Sequence, residues 1–155
     1  MPLFETIVLA TDFSETSVRA QDYVRRLRQA GCKKVVALFV LDTIETGVVI
    51  SEPTGVSDDE GRYEGDLNAR IIRHAREKMQ ELTAILEEVG LEVEPVIISG
   101  VPAKEIVKIA DARDASLIVV GSHGRSNLAS ALLGSVSDKV IRTAKQPVLV
   151  VRREE

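Results

Sequence analysis

Two glycine and hydroxyl groupings in the carboxyl-terminal third of the chain are suited to holding an anion. The first is Val119-Val120-Gly121-Ser122-His123-Gly124-Arg125-Ser126, and the second, ten residues after Gly124, is Gly134-Ser135-Val136-Ser137. Gly121 and Gly124 carry no side chain, so backbone N–H groups beside them can approach anionic oxygens closely and wrap around them. Gly134-Ser135 stands where a helix should open. The unpaired N–H groups and positive dipole end of a helix N-terminus suit a phosphate, and Ser135 and Ser137 add hydroxyl donors. Taken singly, each glycine reads as a tight turn and Ser135 as a helix cap. Taken together, after one apolar run of strand length, they point to phosphate binding. His123 and Arg125, in the same loop, are divided between contact with phosphates and simple solvation.

A carboxylate belongs to the same constellation. Asp12 follows the apolar run Ile7-Val8-Leu9-Ala10-Thr11. At the end of a strand it can accept hydrogen bonds from ribose hydroxyls, help hold a magnesium ion that bridges phosphates, or cap the following helix. The residues alone assign no metal. Val40, near the end of a second run, is equally a core residue and a source of backbone N–H and C=O for an adenine edge. Two familiar phosphate signatures are missing: there is no G-x-x-x-x-G-K-[ST] loop, and no G-x-G-x-x-G follows the first strand-like run.

These residues need strands to end, and helices to begin, at one edge of a sheet. Apolar runs of strand length occur at residues 7–11, 35–41, 91–98, 117–120 and 147–151. Helical periodicity fills the gaps between them. It is clearest where Leu67, Ile71, Ala75, Met79, Leu82, Leu86 and Val89 step by three or four, with Gly90 as the stop. The first helix starts at Ser14 and stops at Gly31, Pro102 opens a third, and a fourth runs from Ser135 to about Ala144. The alternation β-α-β-α-β-α-β-α-β implies an α/β domain with a mainly parallel sheet and helices on both faces. In such sheets ligands collect beyond the carboxyl ends of the strands, where strand order reverses. Residues 42–62, rich in Gly, Ser, Thr and acidic residues, interrupt the rhythm as a long loop.

The 155 residues suit one domain, and 45% apolar content with no Trp, two Tyr and three Phe calls for an aliphatic core. With a formal charge of −4 and scattered Lys and Arg, the chain has no electrostatic footprint for nucleic acid or an anionic membrane. It also has neither a spanning apolar stretch nor a signal peptide, so a cytoplasmic protein is expected. Cys32 is the single cysteine, which excludes an internal disulfide, and His74 reads as a surface residue of the long helix.

The pattern Gly121-x2-Gly124-x9-Gly134-Ser135 is similar to that of the universal stress protein family. So are Asp12 after the first strand, Gly100-Val101-Pro102 before the third helix, and the ending Ala144-Lys145-Gln146-Pro147-Val148-Leu149-Val150-Val151-Arg152. The resemblance spans nearly the whole chain, and the glycine pattern is the one carried by ATP-binding members. It implies a single-domain, three-layer, Rossmann-like sandwich, of the type shared with the adenine nucleotide alpha hydrolases. The five-stranded parallel sheet would have the order 3-2-1-4-5, with ATP, or AMP or ADP, as ligand. Ala10, Thr11 and Asp12 would border the adenosine, and Val40 would meet adenine through its backbone. Gly121, Ser122, His123, Gly124, Arg125, Gly134, Ser135, Val136 and Ser137 would surround the phosphates. The resemblance also implies a homodimer through the last strand, whose apolar edge invites pairing.

No catalytic residue is assigned, because beyond Asp12 and His123 no general base or leaving-group acid stands out. The expected function is therefore a regulatory or stress-response module that holds nucleotide, with at most slow hydrolysis. An ATP-consuming enzyme on the same sheet is the alternative. A flavodoxin-like or phospho-acceptor domain fits poorly: a receiver would place further acidic residues near Asp12 and a Lys after the last strand, where Arg152 stands.

Overall fold

The computed structural model describes residues 3–43, 65–122 and 134–152. Five strands, β1 (Thr6–Ala10), β2 (Lys34–Asp42), β3 (Glu92–Gly100), β4 (Leu117–Gly121) and β5 (Val148–Val151), form one parallel sheet in the order β3-β2-β1-β4-β5. Helices α1 (Glu15–Leu27), α2 (Gly65–Glu88), α3 (Pro102–Ala112) and α4 (Ser135–Thr143) pack on it among the described residues. The expected fold is the one observed.

The central strands are near-continuous aliphatic runs because both faces of the sheet are covered. Alternation along each strand then sorts side chains between two cores. Ile7 and Leu9 of β1 and Val35, Ala37 and Phe39 of β2 point to the side where Ala20 and Val24 of α1 and Ala75, Met79, Leu82 and Leu86 of α2 pack. Val8, Val36 and Leu38 point to the other side, against Ala103, Ile106 and Ala110 of α3 and Val140 of α4. The spacing of those α2 residues is the helical stripe legible in the sequence, here buried to within a few per cent.

The helix stops follow the expected chemistry. Gly90 ends α2 at φ +92°, while α1 tightens into a 3-10 turn (Arg28–Ala30) closed by Gly31 at φ +102°. Both are left-handed positions that glycine takes without steric cost. The helix starts differ in detail. Ser14 precedes α1 but makes no side-chain cap, and Gly134, rather than Ser135, is the cap residue of α4. Asp42 closes β2, and most of the expected 42–62 loop lies outside the described residues.

At the amino end of the sheet, charged groups pair with one another. Arg113, just after α3, holds Glu94 of β3 through Nε at 2.9 Å and Nη2 at 2.7 Å, and Lys34 Nζ lies 3.2 Å from the same carboxylate. The Arg113 hydrogen bonds are the main cause of a Glu94 pKa below the ordinary carboxylate value. Lys33 pairs with Glu5 at 3.1 Å beside them.

Candidate functional site

The chain leaves β3 and returns as β4 on the far side of β1, so strand order reverses between β1 and β4. The carboxyl ends of β1, β2 and β4 frame a cleft of about 340 Å³ there. Ala10, Thr11, Asp12, Val40, Gly121, Ser122, Gly134, Ser135, Val136 and Ser137 all line it. These are all of the expected site residues except His123, Gly124 and Arg125, which lie outside the described residues. Elements more than a hundred residues apart in the chain meet at this point.

The turn after β1 is held by its own side chains. Thr11 N–H continues the sheet by donating to Leu38 O at 2.9 Å. Thr11 Oγ1 accepts the Phe13 N–H at 3.0 Å, and Asp12 Oδ1 accepts the Ser14 N–H at 2.9 Å. The Ser17 hydroxyl stands 3.2 Å from that same Asp12 oxygen and 2.9 Å from Ser14 O. Asp12 therefore organises the start of α1, as one of its sequence readings has it, and the residue also lines the cleft.

Across the cleft, Ser122 ties three elements together. Its N–H donates to Val151 O at 2.8 Å, and its carbonyl accepts Gly134 N–H at 2.6 Å and lies 3.3 Å from Ser137 Oγ. This fixes the start of α4 over the end of β4. The geometry of any α-helix leaves the N–H groups of its first turn without intrahelical partners, and here that turn is Ser135, Val136 and Ser137, all on the cleft wall. Gly121 has a further reason to be glycine. A Cβ there would fall 2.8 Å from Thr16 Oγ1 and 3.3 Å from the Thr16 carbonyl carbon, so the bare backbone is what lets α1 approach the end of β4.

Several lining residues carry only structural signals in the sequence. In the sequence Ile71 belongs to the α2 stripe and Pro102 to the start of α3, and in the fold Ile106 of α3 packs in the core, yet all three border the cleft. Phe39 and Leu41 of β2 and Ser17 of α1 had no assigned role. Pro102 carried the one usable signal, since a helix start directly after a parallel strand must lie at the carboxyl end of the sheet. Among the described residues, no group of three or more His, Cys, Asp or Glu is arranged to hold a metal ion, and no helix is long and apolar enough to cross a membrane.

A family model described as the universal stress protein family matches residues 3–152. The chain belongs to that family. Universal stress protein MJ0577 of Methanocaldococcus jannaschii is 34% identical, over 98% of this chain and 97% of its own length. The solved structure of MJ0577 matches with a TM-score of 0.85 at 35% identity, covering 99% of both chains. Universal stress protein Rv1636 of Mycobacterium tuberculosis is 32% identical over 97% of this chain and 98% of its own. A further universal stress protein, solved in complex with cAMP, matches with a TM-score of 0.64 at 26% identity, over 96% of this chain and 97% of that one.

Proposed function

We propose that this chain is a regulatory nucleotide-binding module that holds ATP, or a related adenine nucleotide, in the cleft at the carboxyl end of its sheet. One observation carries the reading: Asp12, after β1, and the open first turn of α4 line a single cleft. Its volume falls in the roughly 300–1,000 Å³ range of small-molecule sites. The N–H groups of Ser135, Val136 and Ser137 suit phosphate oxygens, Asp12 suits ribose hydroxyls, and Val40 offers backbone N–H and C=O to an adenine edge. On the resemblance to the universal stress protein family, Gly124, His123 and Arg125 would complete the phosphate surroundings. The cAMP complex of a 26% identical relative supports an adenine nucleotide as the ligand class. A magnesium ion, where present, would be held by the phosphates with Asp12 as its protein carboxylate, as this ion commonly is.

Binding without rapid turnover is the favoured chemistry. Oδ1 of Asp12 is engaged in holding the α1 turn, which suits a positioning role better than that of a mobile proton acceptor. The protein is further read as a homodimer through β5, which closes one side of the sheet with the partly exposed run Val148, Leu149 and Val150.

Binding calorimetry with ATP, ADP and AMP, with and without magnesium, tests the ligand, and mass spectrometry of co-purifying compounds identifies what is resident. Micromolar or tighter ATP binding that weakens at least tenfold in Asp12→Ala is the expected result. Absence of any adenine nucleotide binding by the wild type would reject the reading. Fast single-turnover ATP cleavage, abolished in His123→Ala, would make the protein an enzyme instead.

A further inference from the structure

Phe13 stands between Asp12, a residue of the cleft lining, and the first helix in a backbone conformation that its side chain opposes. Its φ is +61°, in the left-handed region that a bulky residue enters only where its surroundings over-determine it. Two contacts do so here. The Phe13 N–H donates to Thr11 Oγ1 at 3.0 Å, and the Phe13 ring stacks on Phe39 with centroids 5.5 Å apart and planes 19° from parallel. Phe39 is 3% exposed and built into β2, so it is a fixed surface for the ring to rest on.

The same reversal of the chain sets Asp12. Directly after Phe13, the Ser14 N–H reaches back to Asp12 Oδ1 at 2.9 Å, and Ser17 Oγ stands 3.2 Å from that oxygen. Asp12 and Phe39 line the cleft, whereas Phe13 packs against the core beneath α1 and α2. The carboxylate and the aromatic stack are thus joined through one strained residue that is not itself part of the cleft lining.

We propose that Phe13 is a positioning residue for the Asp12 carboxylate. The Phe13–Phe39 stack holds the left-handed turn, and the turn holds the carboxylate where it meets the 2′ and 3′ hydroxyls of a bound ribose. This rests on the nucleotide reading and deepens it, because it makes recognition of the ribose diol by Asp12 depend on a residue outside the cleft lining. A charged hydrogen bond is strong only when the acceptor is held in line with its donor, and a carboxylate released among its rotamers loses that alignment.

The test compares ATP with 2′,3′-dideoxy-ATP in the wild type and in Phe13→Ala, Phe39→Leu, Phe13→Tyr and Asp12→Ala, with thermal melting to establish that each variant folds. The wild type is expected to prefer ATP by roughly tenfold, the worth of a hydrogen bond to a charged group. Phe13→Ala and Phe39→Leu should bring that ratio toward one, mainly by weakening ATP, and Phe13→Tyr should retain it. Phe13→Ala is decisive because Phe39 also faces the cleft. Adding it to Asp12→Ala should cause no further loss of ratio, as expected when two changes remove one interaction.

A second readout needs no ligand. The Ser14 amide should shift its NMR resonance in the same direction, and exchange its hydrogen faster, in Asp12→Ala, Phe13→Ala and Phe39→Leu, but not in Phe13→Tyr. A Phe13→Ala protein that keeps both the wild-type ligand ratio and the Ser14 amide signature overturns the positioning role alone. Equal weakening of both nucleotides in Phe13→Ala, with Ser14 unmoved, overturns it as well and leaves a general structural effect. A wild type that binds neither nucleotide overturns the proposal together with the reading beneath it.

Discussion

The two ends of the sheet handle polar groups in opposite ways. At the amino end, Glu94, Arg113 and Lys34 pair with one another, and Lys33 meets Glu5, so these partly exposed charges engage each other. At the carboxyl end, Thr11, Asp12, Ser17, Ser122 and Ser137 use their hydrogen bonds to shape backbone turns while lining a cleft. Paired charges on a protein surface contribute little and recognise nothing further. A turn held by side chains, opposite a helix start whose N–H groups point outward, presents fixed donors and acceptors to a ligand. The difference follows from strand direction: in a parallel sheet every helix that follows a strand begins at the carboxyl end.

The sharpest way to break this contrast is at Gly121. Replacement by Val pushes a side chain into Thr16, and forcing methyl groups into packed space costs about 1–3 kcal/mol. Gly121→Val is expected to lower the melting temperature clearly and to abolish nucleotide binding, as read by thermal unfolding and calorimetry. A variant that melts and binds like the wild type would mean that the two elements are not in close contact.

Asp12→Ala should affect function more than stability. Loss of the turn contacts is worth about 1 kcal/mol, whereas loss of charged hydrogen bonds to ribose weakens ATP by roughly tenfold or more. At the opposite end Glu94→Gln should have the reverse profile. It should cost about 0.5–1 kcal/mol and leave ATP affinity within twofold, and a larger change in affinity would show that the two ends are coupled.

The pH dependence separates the ends further. Because Arg113 lowers the folded-state pKa of Glu94 below 4.5, the stability from this pair is fully present above the unfolded carboxylate pKa. It is lost as pH falls through the lowered folded value. The stability gap between wild type and Glu94→Gln should therefore shrink in acid, as measured by urea unfolding from pH 7 downward. A gap that widens would reverse the assignment.

Cys32, buried beside the start of β2, gives the smallest effect. Desolvation pushes its pKa up from 9.0 to about 11. The unfolded thiol then ionises before the folded one, so stability should decline between about pH 9 and 11, and less so in Cys32→Ala. At pH 8 a thiol reagent should modify the native protein far more slowly than the urea-unfolded chain.

Much of this arrangement was legible from residue order. The aliphatic runs marked the five strands, the step of three and four from Ile71 to Leu86 marked the long helix, and Gly31 and Gly90 marked helix ends, because each depends on local periodicity or on a backbone conformation that glycine alone takes cheaply. Gly134-Ser135 was legible as a helix start for the same reason. Other features were not. Ile71, Ile106 and Phe39 are apolar residues at core spacing, and no local signal distinguishes a core residue from one whose edge borders a cleft. In the sequence Gly121 offers room for a ligand, whereas its nearest neighbour across the missing Cβ is Thr16 of α1. The resemblance, rather than periodicity, supplied the strand order.

The sequence by itself therefore determined the elements, their succession and the chemical character of the site residues, all of which follow from short-range sterics and apolar patterning. Tertiary structure decided which of those residues meet. The reversal of strand order between β1 and β4 brings Asp12 and α4 to one cleft, and the burial of Phe39 gives Phe13 the surface that holds its strained turn. Both are contacts between distant parts of the chain, which exist only once the sheet has assembled.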